Sequence, residues 1–120
     1  MTMEEFETIV ADSLKEIPVK FQRIIQKEEI RILAREKIPP AIRSQFPGQN
    51  VFGIFIGFPY GKGRTFSIQT EPTRIEIYKE SFDKTFKDKT EIKNQIGRTV
   101  IHELAHYFGF NEMEIRTKGY

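Results

Sequence analysis

His102-Glu103-Leu104-Ala105-His106-Tyr107-Phe108-Gly109-Phe110-Asn111-Glu112 is the stretch from which the rest of this 120-residue chain can be read. It closes a longer pattern. Ile92, Ile96, Val100, Leu104 and Phe108 recur every four residues, and Gly97, Ile101 and Ala105 widen the stripe. That spacing predicts a helix from about residue 89 to 108, lying inside the domain against a sheet. His102 and His106 then stand one turn apart on the same face of it. Two imidazoles so placed converge on one point, where a zinc ion with bonds of about 2.0–2.1 Å fits. Glu103 is offset to one side of the pair. From there it reaches a water on the metal without becoming a ligand, the position a general base requires.

Two ligands do not make a tight site, and Gly109 points to the third. By allowing positive φ, glycine lets the chain leave the helix sharply and fold back under the metal. Glu112, three residues later, can then present a carboxylate, leaving a fourth position open for water. Glu114 is the other acid nearby, but its extra two residues do not match the turn. The chain has only two histidines and both fall in this motif. The plainer reading is a core helix with incidental histidines, and it leaves two buried imidazoles and a carboxylate in want of partners. Two imidazoles and a carboxylate also accept iron or manganese, so the residues by themselves do not single out zinc.

Composition narrows the setting. Hydrophobic residues are 38% and charged residues 30%, polar but globular, and the length suits one domain spanning residues 1–120. No apolar run approaches the roughly 18 residues of a membrane span, so no membrane partner is expected. A net charge of +2 with both signs intermixed gives no electrostatic case for nucleic acid. Cysteine is absent, which removes disulfides and thiolate sites and fits a cytoplasmic location.

Elsewhere the pattern predicts an N-terminal helix capped by Thr2, carrying Phe6, Ile9, Val10 and Leu14, and broken near Pro18. A second short helix runs from Val19 to Gln26. Strands are expected at Glu29–Ala34, Val51–Pro59, Phe66–Gln69 and Thr73–Tyr78. A loop with one helical turn spans Pro39–Gly48, Gly61-Lys62-Gly63 is a turn, and a short helix follows Asn111. The charged run Lys79–Lys89 reads as a solvated loop. Gly53 and Gly57 interrupt one strand, where they either let a substrate peptide add alongside or mark bulges and close packing. Tyr78, Tyr107, Arg116 and Tyr120 are candidates to stabilise an oxyanion, though such residues are more often core aromatics or solvated charges.

The chain resembles the minimal zincin-like metallopeptidase family of small bacterial proteins. The likeness runs from Met3-Glu4-Glu5-Phe6, through Gly53-x-Phe55-x-Gly57-x-Pro59 and Arg74-Ile75-x-Ile77-Tyr78, to the segment beginning Arg98-Thr99-Val100-x-His102-Glu103 and the final Gly119-Tyr120. The resemblance implies a compact α+β fold, a small mixed sheet packed on the N-terminal helix and the HExxH helix. It also implies zinc on His102 and His106, an acidic third ligand at Glu112, and Glu103 as catalytic base. Family members typically carry Asp where this chain has Glu112. Metzincins proper carry a Met-containing turn under the zinc, well downstream of the helix, and with eight residues after Glu112 Met113 is not expected to supply it in the usual way.

The function expected from all this is hydrolysis of a short or unfolded peptide by a zinc-activated water. A second reading stays open: a metal-binding or regulatory module that keeps the scaffold without efficient proteolysis. The sequence leaves the oligomeric state undetermined.

Overall fold

The computed structural model describes residues 1–57 and 73–109. The expected strand at Phe66–Gln69, the turn at Gly61-Lys62-Gly63, the final helix, Arg116, Tyr120 and both candidate acids, Glu112 and Glu114, lie outside the described residues.

Helix α1 covers Met3–Glu16. Thr2 starts it through a capping box: its hydroxyl accepts from the Glu5 amide at 3.1 Å, and the Glu5 carboxylate accepts from the Thr2 amide at 2.9 Å, so two otherwise orphaned donors are satisfied. The helix stops two residues before Pro18, and α2 follows at Val19–Lys27. Strand β1 is Arg31–Arg35, beginning two residues later than the alternation suggested, because Glu29 takes a positive φ of 54° in the turn before it. The expected helical turn after Pro39 is α3, Pro40–Gln45. Strands β2 (Gly53–Ile56) and β3 (Arg74–Tyr78) complete the described sheet. Its order is β1-β3-β2, with β1 parallel and β2 antiparallel to β3. The architecture is α+β with a small mixed sheet.

Helix α5, Lys89–Tyr107, begins at Asp88, whose side chain accepts from the Thr90 amide. Its four-residue stripe is buried as predicted through Leu104: Ile96 and Val100 are fully enclosed, and Ile92 and Leu104 nearly so. Burying each such side chain contributes about 1.5–3 kcal/mol, so packing rather than local propensity fixes this helix. α5 packs on β2 and β3 and α1 packs on β1 and α5, which puts both helices on one face of the sheet. Gly97 permits the close approach of α1, for a Cβ there would stand 3.3 Å from the Ser13 hydroxyl. That hydroxyl donates to the Lys93 carbonyl at 2.9 Å.

One expectation fails for a physical reason. The charged run after Tyr78 is a helix, α4, at Lys79–Thr85, rather than a solvated loop. Phe82 anchors it, fully buried between Phe6 and Phe52 at ring separations of 5.6 and 4.9 Å. Lys79 is drawn in with it, its ammonium donating to Asp83 at 2.7 Å and Glu36 at 3.3 Å. Strand β3 alternates as predicted, yet its polar side does not face water. Ile75 and Ile77 join the core under the helices, while Glu76 (2% exposed) and Tyr78 (0%) are buried on the opposite side. On that side the Arg35, Arg74 and Tyr78 side chains gather around Glu76, so β3 is buried on both faces. Glu76 accepts from Arg35 Nε at 2.8 Å, Arg74 Nε at 2.9 Å and the Tyr78 hydroxyl at 2.8 Å.

Among the described residues, no helix is long and apolar enough to cross a membrane.

Candidate metal and active site

Close contact between α5 and β2 builds the site. A Cβ on Gly53 would lie 2.8 Å from the Glu76 carbonyl and 2.9 Å from Thr99 Cγ2, a separation real side chains do not adopt. Gly53 therefore lets α5 settle against the strand, and Glu103, one turn after Thr99, meets the strand's next outward-facing amide. Gly57 has a φ of +140° and would crowd Thr73 if it carried a side chain, so it too is demanded locally. The packing reading of these two glycines thus has a direct structural basis.

The register of β2 explains the contact with Glu103. Tyr78 donates to the Phe52 carbonyl, so the backbone groups of Phe52, Ile54 and Ile56 face β3, and those of Gly53, Phe55 and Gly57 face the other edge. The Phe55 amide donates to Glu103 Oε2 at 3.3 Å. Phe55 and Tyr107 rings, 4.9 Å apart, brace the same junction. Glu103 is 15% exposed, with Oε2 3.6 Å from Nδ1 of His106. Burial pushes its carboxyl above the usual carboxylate range, against the opposing influence of His106, His102 and the Phe55 amide.

His102 and His106 flank this carboxylate, their rings 4.8 Å apart and inclined at 71°. Two imidazoles one turn apart on the same face of a helix are the kind of donors a shared zinc ion takes, and the chemistry of the pair suits that metal. Among the described residues no group of three His, Cys, Asp or Glu is placed to hold one, and the acid expected to complete the set, Glu112, lies beyond them. Gly109 does adopt the positive φ, 87°, that the sequence required for the exit from α5.

Both histidines and Glu103 line one cleft of about 820 Å³ between α5 and β2, which continues past Arg98 and Gln95 to Asn50. The sequence reading missed Arg98 and the Phe55 amide. Arg98 was legible in principle, four residues before His102 on the same face; the amide was not, because it belongs to a different element. Two oxyanion candidates are withdrawn. The Tyr78 hydroxyl is buried and donates to Glu76, and that of Tyr107 (1% exposed) is turned to Glu28 at 3.5 Å.

The sequence that builds this cleft also matches a known family. The model of the zincin-like metallopeptidase family matches residues 28–120. The chain belongs to that family. The match takes in all three described strands and α3, α4 and α5, and so every described residue that lines the cleft, and it leaves out α1 and α2. No curated protein matches the sequence.

Proposed function

We propose that this zincin-like chain is a zinc-dependent peptidase acting on short or unfolded peptides. The observation that supports it is the meeting of His102, His106 and Glu103 in one cleft at the edge of β2. His102 and His106 would hold the metal, with Glu112 as third ligand. When bound, zinc supplies a Lewis acid that polarises the scissile carbonyl and acidifies water. Glu103, held by the Phe55 amide, takes the proton of the attacking water and returns it to the leaving amine. Substrate would lie along β2, where the outward backbone groups of Gly53 and Gly57 can pair with an extended peptide. Residues 1–120 would form one domain, working in the cytoplasm.

The test is cleavage of an unstructured peptide library by the full chain. Cleavage is expected, abolished by a zinc chelator and restored by added zinc. Retention of zinc with no cleavage of any peptide would favour the binding-module reading, and cleavage that survives chelation would refute the metal's role.

A further inference from the structure

Arg98 sits on α5 one turn before His102, exposed and lining the same cleft. Two other polar side chains in that half are engaged. Gln95 Nε2 donates to the Thr99 hydroxyl at 3.4 Å, and Asn50 Nδ2 donates to the Thr85 hydroxyl at 2.6 Å. Glu103 is taken up by the Phe55 amide. No hydrogen bond or ion pair holds Arg98 among the described residues. Among the described lining residues Arg98 is also the one permanently charged cation. A guanidinium offers five donors in a planar fork that matches a carboxylate.

We infer that Arg98 is a specificity-determining residue that draws a substrate carboxylate into the cleft. Four residues of helix place it about 6 Å from His102 along the axis, and an extended peptide advances about 3.3 Å per residue. The carboxylate therefore belongs about two residues from the bond cleaved. Either an acidic side chain or the substrate's own C-terminus can supply it. The inference rests on the peptidase reading for its geometry, but its test is binding and does not require turnover.

Fluorescently labelled octapeptides are titrated against the full chain carrying Glu103→Gln, which holds cleavage back. One pair differs by Glu against Gln at an internal position; a second differs by a free against an amidated C-terminus. The member with the carboxylate is expected to bind about tenfold more tightly, as a charge-assisted hydrogen bond provides, and the pair that shows it identifies the source. Adding Arg98→Gln should bring that ratio to about one, Arg98→Lys should retain part of it, and Arg98→Glu should reverse it in favour of a Lys-containing peptide. Equal binding within both pairs, an unchanged ratio in Arg98→Gln, or no peptide binding at all would overturn the inference. Cleavage of the same peptides by the wild type separately reads the peptidase proposal: carboxylate preference without turnover leaves Arg98's role standing while that proposal falls, and turnover without preference does the reverse.

Discussion

Glu103→Gln should lower kcat on a cleavable peptide by about a thousandfold, within the range for removal of a general base, while bound zinc stays at the wild-type level. Gln has the same length and keeps a carbonyl oxygen for the Phe55 amide, which lies 3.3 Å from the present carboxylate. The helix, the strand contact and both histidines are thereby retained, and what is lost is the capacity to accept a proton. Steady-state kinetics paired with metal analysis checks this. A kcat within threefold of wild type would remove Glu103 from the chemistry. Parallel loss of zinc would make it a ligand or a structural support instead.

The largest expected loss of stability comes from the other face of the sheet. Glu76→Ala is expected to destabilise the fold by about 3 kcal/mol, the lower end for breaking a buried ion pair, with a fall in Tm of roughly 10–20 °C. The lower end applies because Arg35 is 46% exposed and water can partly replace its partner, whereas Arg74 is 14% exposed and Tyr78 fully buried. Acid should reproduce part of the effect in the wild type. Burial alone pushes the Glu76 carboxyl up, but hydrogen bonds from Arg74, Tyr78 and Arg35 outweigh it and hold the net value below 4.5. A depressed folded-state value means the contribution is present above the unfolded carboxylate range and lost as pH falls through the folded value. The wild type and Glu76→Ala should therefore differ most at neutral pH and converge in acid. Thermal melts across pH decide the matter; a gap that stays constant down to acid pH would contradict the ion-pair account.

These two carboxylates also show what the sequence made legible. The place of Glu103 was legible because it follows from helical spacing alone: His102 and His106 a turn apart, Glu103 beside the first, an apolar stripe on the remaining face. The capping box of Thr2 and Glu5 is local in the same way. Glu76 was not identifiable, since period-two alternation is the same whether a strand's polar side meets water or is covered, and here the side chains gathered over it, Arg35 from β1 among them, decide it. Phe82 was concealed by the charges around it, and its burial depends on Phe6 and Phe52 from distant segments. The site divides along the same line. The histidine pair was readable within one helix, whereas the Phe55 amide and the cleft running past Arg98 exist only once β2 has come against α5.

Elemental analysis of the full chain, purified without chelator or an affinity-tag metal, tests the central claim most directly. One equivalent of zinc is expected for the wild type, almost none for His102→Ala or His106→Ala, and reduced occupancy for Glu112→Ala but not Glu114→Ala. A metal-free wild type, or a full equivalent retained when both histidines are replaced, would contradict the account.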